Sequence, residues 1–269
     1  MGFFDFFKKK PAINIRTEVH CVESFSAKGS ELTRLQLGGY VSPSGGYQNW
    51  SLYKVQGKNP ETGRRNTKRF EARDEESAVE MARKSGLVEP FTFSVDPHDP
   101  PTERQVEYLK SWGVAPPAGC SKHDISAILS RFEDSDDVIS SRKIGGRIVE
   151  IVRPLPGPSE GFAHYANDMG LMFSLYISKK ALFGIAVDTL DQREKAALFA
   201  YCYLCRHYEI EIGDPRESEH CGQIYAFADY AVNNDAVMRS IMMRGSDDFI
   251  KPHKGSIAYK AVSKHMGLE

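Results

Sequence analysis

Long apolar runs are missing from this 269-residue chain, and so is any surplus of charge of one sign. No stretch approaches the roughly 20 apolar residues that a bilayer-crossing helix needs, so no transmembrane segment is expected. Lys and Arg number 35 against 36 Asp and Glu, a formal net charge of -1. Affinity for a polyanion would therefore rest on local clustering, not on overall charge. Cysteine is scarce and odd in number, five in all, which argues against a secreted disulfide framework and for a reducing cytoplasm. Internal repeats and low-complexity tracts are lacking. So are a P-loop, a Gly-x-Ser-x-Gly elbow and a His-Glu-x-x-His helix. Their absence weakens the case for an enzyme without closing it, because sites are assembled from residues distant in sequence. The sequence names no cofactor.

What is present begins with MGFFDFFKKKP. Asp5 interrupts its short apolar stretch and its positive charges follow instead of leading, so it does not read as a secretory signal. Phe6 stands where myristoylation wants Ser or Thr. Phe3, Phe4, Phe6 and Phe7 beside Lys8, Lys9 and Lys10 could form a short amphipathic foot on an anionic membrane. Packing on the protein's own body or on a partner is the preferred reading, since so short a helix buries little. Two strand-like runs follow, Ile13 to Val22 and Leu32 to Val41, with apolar and polar residues alternating.

The chain is organised around residues 50–90. Leu52 and Lys54, Tyr53 and Val55 alternate into a polar loop from Gly57 to Gly63, and a second extended segment runs from Arg64 to Ala72. Asn59-Pro60-Glu61-Thr62-Gly63 is strong turn chemistry: Pro presets φ at one corner and Gly admits positive φ at the other. Asp74 is placed to cap a helix lined by Ala78, Val79 and Ala82, and Gly86 to end it. Lys54, Lys58, Arg64, Arg65, Lys68, Arg69 and Arg73 fall within about twenty residues, opposed by Glu61 and Glu71. Strand parity predicts Arg65, Thr67, Arg69 and Glu71 on the outer face, with Lys68, Phe70 and Ala72 toward the helix. An outer face of this kind suits duplex DNA, where guanidinium reaches guanine edges and phosphates fix the register. The plainer reading is a solvated hairpin whose charges keep an edge strand soluble.

The order Gly46, Trp50, Tyr53, then Asn59-Pro60-Glu61-Thr62-Gly63-Arg64-Arg65, Phe70 and Glu76-Ser77-Ala78 resembles the arm-binding domain of phage-type tyrosine integrases. The resemblance covers residues 46–86 and implies a three-stranded sheet packed on one helix, reading DNA with the sheet. Arg69-Phe70 replaces the family's Gly-Phe, and the recombinase's Arg, His and Tyr constellation is not assembled downstream. The likeness therefore concerns the DNA-reading module alone. A similar strand–loop–strand–helix pattern also occurs in small domains of secretion-machinery membrane proteins that do not read DNA.

After the break at Asp96 to Pro101, Thr102 and Gln105 form a capping box before Tyr108, Leu109 and Trp112, with Gly113 closing that helix. Ser121 and Asp124 open a second helix through Ile125, Ile128, Leu129 and Phe132. The pair resembles SAP-type helix–extension–helix units, in which Lys122 and His123 would present a helix start to phosphate. A packing module without a ligand is the favoured alternative, because acidic residues follow at once. A strand over Arg147 to Val152 and the breaker Pro154 to Pro158 lead to helices predicted near 159–171, 178–190, 192–208, 217–233, 236–243 and 257–266.

Cys202, Cys205, His220 and Cys221 have the residue types of a zinc site, yet the CxxC lies in an apolar helical run, where packing is the usual role of cysteine. Glu217 and His220 match a single Glu-x-x-His element, and no second copy exists.

The fold class expected is α+β: a small antiparallel β-sheet with a packed helix at the N-terminus, a two-helix unit, then an all-α C-terminal domain. The boundaries are a Phe/Lys segment at 1–11, a β-rich domain at 12–98, the two-helix unit at 99–135, a linker at 136–158 and the helical domain at 159–269. The leading functional reading is a non-enzymatic, DNA-associated accessory protein, as in a mobile element. Lys58, Arg64, Arg65, Lys68, Arg69 and Lys122 would touch double-stranded DNA, and the helical domain would recruit a protein partner or a second copy. The alternatives are a scaffold protein that touches no nucleic acid, or an enzyme with its site in the helical domain.

Overall fold

The structure, a computed structural model, describes residues 48–144 and 147–268. The Phe/Lys segment and the strands expected at Ile13 to Val22 and Leu32 to Val41 lie outside the described residues. Within them the architecture is α+β, as the sequence predicts.

Strands β1 (Ser51–Lys58), β2 (Arg65–Ala72) and β3 (Val88–Asp96) form an antiparallel sheet in the order β2-β1-β3. Asn59 makes the turn between the first two: its side-chain oxygen accepts from the Glu61 and Thr62 N–H groups at 2.9 and 3.0 Å. Gly63 closes the loop at φ 65°, a conformation that costs glycine little. Helix α1 (Glu75–Lys84) starts where the Asp74 carboxylate accepts from Ser77 N–H at 2.7 Å. It lays Ala78 and Ala82 on Tyr53, Val55 and Ala72, a small core completed by Leu87. Gly57 is required by close packing, since a Cβ there would meet the Phe91 ring at 2.8 Å where the β1–β3 register shifts. The third strand that the resemblance implies is Val88–Asp96, a segment to which the sequence analysis assigned no strand, and it follows the helix.

Helices α2 (Glu103–Ser111) and α3 (Lys122–Glu133) both carry the predicted capping boxes. Leu109, Trp112, Ile125, Ile128 and Phe132 pack with Val152 and Tyr176, so the unit is docked on its neighbours instead of standing alone. Strand β4 (Val138–Ile144) pairs antiparallel with β5 (Arg147–Val152). The sequence pointed only to the second of these, because Ser140-Ser141-Arg142-Lys143 offers no apolar alternation.

The remainder is helical: α4 (Glu160–Asp168), α5 (Lys179–Thr189), α6 (Gln192–His207), α7 (Cys221–Val232), α8 (Asp235–Met242), α9 (Ser246–Ile250) and α10 (Ile257–Met266). Helix α6 is buried on every side from Lys195 to Cys205 and forms the axis of this domain. Two predicted helices are shorter than expected. The first stops at Asp168, ahead of Gly170 at φ 78°, and the chain opens out toward Ile177. The one expected from Glu217 begins at Cys221, because Asp214 caps a separate 3-10 turn at Pro215–Glu217.

The opened segment meets the residues just before β1. Gln48 bridges Ser174. Fully buried Asn49 donates to Asn167 and to the Leu171 carbonyl at 3.1 and 2.7 Å, and accepts from Phe173 N–H at 2.8 Å. Ser174 donates to Asp124 at 2.7 Å, and Arg73 donates to Asn167. Sheet, two-helix unit and helical domain are therefore joined by buried hydrogen bonds through Asn49, Arg73 and Ser174, beside which Gln48 Oε1 and Trp50 Nε1 are buried without a partner among the described residues. Among the described residues, no helix is long and apolar enough to cross a membrane.

Candidate nucleic-acid interface

The ladder register decides which basic side chains share a face. Lys54 pairs with Arg69, Gln56 with Thr67 and Lys58 with Arg65 across β1–β2, while Lys54 pairs with Ser94 and Gln56 with Thr92 across β1–β3. Side chains alternate along each strand, so these residues stand on the side of the sheet away from α1. Lys54, Lys58, Arg65, Thr67, Thr92 and Ser94 are exposed there, and Arg64 adjoins them at the loop. Gln56 donates to Thr67 at 3.4 Å. The sequence reading missed Thr92 and Ser94, although Phe91-Thr92-Phe93-Ser94-Val95 has strict two-residue alternation.

The two ends of this face differ. Toward α3, each charge has an answer. Arg69 lies 3.4 Å from Asp96 and 3.2 Å from Asp99, and Lys122 reaches the other oxygen of Asp99 at 3.3 Å. His123 lies 3.1 Å from Glu71. Burial alone would raise the Asp99 carboxyl, but hydrogen bonds from Lys122 and Arg69 outweigh it and hold the group below its usual range. Glu71 is likewise held low, chiefly by its hydrogen bond from His123. At the hairpin end, Lys54, Lys58, Arg64 and Arg65 have no carboxylate within ion-pair distance among the described residues.

Three of the expected contact residues are thus placed differently from Lys58, Arg64 and Arg65. Lys68 projects to the helix side, where its ammonium donates to the Ser85 carbonyl at 2.8 Å, a favourable seat at a helix C-terminus. Arg69 is on the open face but engaged by carboxylates, and Lys122 shares one of them. The phosphate seat expected at the start of α3 is filled from within: Ser121 is buried, and its hydroxyl already accepts from the His123 and Asp124 N–H groups at 3.1 and 3.3 Å. Arg73, counted in the basic cluster, serves the junction with Asn167.

The four residues with zinc-ligand chemistry are not gathered into a site. Cys202 and Cys205 are buried along α6, and Cys205 donates to the Glu211 carbonyl at 3.8 Å. Burial pushes the Cys205 thiol up to about 11 and that of Cys202 well above its ordinary value, which disfavours the thiolate a metal needs. His220 stacks on Tyr208 and lies 3.5 Å from Glu219. Among the described residues, no group of three or more His, Cys, Asp or Glu side chains is arranged to hold a metal.

No known protein family, curated protein or solved structure matches the chain.

Proposed function

We propose that this protein binds duplex DNA through the open face of the β2-β1-β3 sheet and acts as a non-enzymatic accessory factor. The observation that carries this reading is the register. Lys58 stands opposite Arg65 on an exposed surface, with Lys54 on the same face, and none of the three has a carboxylate within ion-pair distance among the described residues. Like charges directly opposite are destabilising, by up to about 1 kcal/mol a pair. A sheet that needed only solubility would be better served by mixed signs. Positive side chains crowded on one face are accounted for by a polyanion that relieves their repulsion on binding.

The polar residues between the charges support the same reading. A two-stranded ribbon fits the B-DNA major groove, about 12 Å wide. Lys54, Lys58 and Arg64 would meet phosphates and fix the register, while Arg65, Gln56, Thr67, Thr92 and Ser94 offer donors and acceptors to base edges. The Asn49 hydrogen bonds hold the sheet against the rest of the chain, leaving the helical domain to meet a partner protein or a second copy.

The test is fluorescence anisotropy with a labelled duplex between about 50 and 200 mM salt. Binding is expected to weaken steeply with salt, and the Lys54→Ala/Lys58→Ala/Arg65→Ala variant to lose at least about tenfold in affinity with a shallower salt slope. No retention of duplex by the wild-type protein at the lowest salt would end the DNA reading and leave the scaffold role in its place.

A further inference from the structure

Among the apolar side chains that the helical domain leaves in the open is a group at the two ends of α8 that neither its core nor the basic sheet explains. Met243 is 86% exposed, Met242 44% and Val232 38%. Gln192, Val232, Asp235, Met238, Arg239 and Met242 line an adjoining open groove of about 300 Å³. Methionine is unbranched and polarisable, suited to filling an irregular apolar slot on a partner, and an exposed apolar patch of this kind marks an interaction surface.

We infer that a second copy of this chain docks here, antiparallel along α8, in a two-fold contact. Such a contact requires each patch to contain its own complement. This one does. Asp235 opens α8 and Arg239 follows one turn later on the exposed side. Among the described residues Arg239 donates to the Asp235 backbone carbonyl alone, at 3.2 Å. Neither charge has an ion-pair partner among the described residues. A two-fold axis crossing the exposed side of α8 midway between Asp235 and Arg239 sets Asp235 of each copy against Arg239 of the other. The same operation carries Met242 and Met243, at the C-terminal end of α8, toward the other copy's Val232, the last residue of α7, which lines the same groove as Asp235 and Met242. Charge therefore meets opposite charge and apolar meets apolar in this direction only. A parallel arrangement would oppose Asp235 to Asp235 and Arg239 to Arg239. An eight-residue helix is about 12 Å long, less than a standard interface of about 1,600 Å² requires. The dimer is accordingly reversible, with a dissociation constant on the order of micromolar.

This surface is independent of the DNA reading, and its test contains no nucleic acid. Sedimentation equilibrium of the full chain from about 1 to about 100 µM is expected to give a monomer–dimer equilibrium. Asp235→Arg or Arg239→Asp alone should weaken dimerisation at least about tenfold, and the two together should restore it to within about threefold of wild type. Met243→Glu, at a position too exposed to disturb the fold, should leave a monomer with an unchanged thermal transition. A wild-type monomer throughout the range overturns the inference. So does a dimer indifferent to both single reversals, or a double reversal that stays monomeric while melting like wild type.

Discussion

Lys54 and Arg69 stand directly opposite each other on the open face of the sheet, and among the described residues only Arg69 has acids to answer it. Asp96 and Asp99 draw that guanidinium toward the base of α3, and Asp99 holds Lys122 as well. The face is therefore graded: neutralised where it meets the two-helix unit, uncompensated at the hairpin.

Removing the shared acid should extend the positive region. In Asp99→Asn, Lys122 loses its ion pair with Asp99 and Arg69 keeps the one with Asp96, while the Asp99 carbonyl still accepts from Lys122 N–H at 3.0 Å. Duplex affinity is expected to rise several-fold at low salt. Each of these two cations that reaches a phosphate should steepen the log–log salt slope by about 0.9. Anisotropy titrations at several salt concentrations measure both, and an unchanged slope would mean that neither cation lies within reach of the DNA.

Asn49→Ala tests the junction that holds the sheet in place. The substitution removes hydrogen bonds to the Leu171 carbonyl and Phe173 N–H, both in a buried setting, and the bond to Asn167. Two stranded backbone groups cost about 2–6 kcal/mol together. Urea denaturation should show that loss at the midpoint, whereas a change below about 0.5 kcal/mol would make Asn49 a bystander.

A gain is expected at Glu209. This residue ends α6 in the left-handed region at φ 55°, with Ile210 N–H bonded back to the Cys205 carbonyl at 2.9 Å. That geometry is a Schellman cap, whose preferred occupant is glycine. Since Glu209 is exposed, Glu209→Gly should stabilise by about 0.5–1 kcal/mol. A thermal melt should move up by about 2 °C.

Local chemistry was legible in the sequence wherever a single turn decides the structure. Asp74, Thr102 with Gln105, Ser121 with Asp124, and Gly113 announced helix ends because caps act within three or four residues. Outward parity for Arg65, Thr67 and Arg69 followed from the period of a strand. What stayed hidden depends on distant partners. Asp99 sits in a Pro-rich break and gives no sign that it will hold Arg69, thirty residues earlier. Strand β3 returns beside β1 only after a helix, and the shortened α4 owes its end to a segment that must reach Asn49. Parity could place Lys68 toward the helix, but its bond to Ser85 needed coordinates.

Acid should loosen the contact between the sheet and α3 in a definite window. The Glu71 carboxyl lies below its ordinary 4.5, first through the hydrogen bond from His123, with burial opposing and the charges of His123, His98 and Lys122 assisting. A carboxylate whose folded-state pKa is depressed binds its proton more readily in the unfolded chain. Its stabilisation is then fully present above the unfolded value and is lost as pH falls through the lower, folded value. Glu71→Gln removes the titration while keeping an acceptor for His123. Wild type and variant should therefore differ in stability above about pH 5 and converge as pH drops below the carboxylate range. Urea midpoints measured at intervals between about pH 3 and pH 7 give the comparison. Curves that stay parallel through the acid limb would show that the Glu71–His123 contact carries no pH-dependent share of the stability.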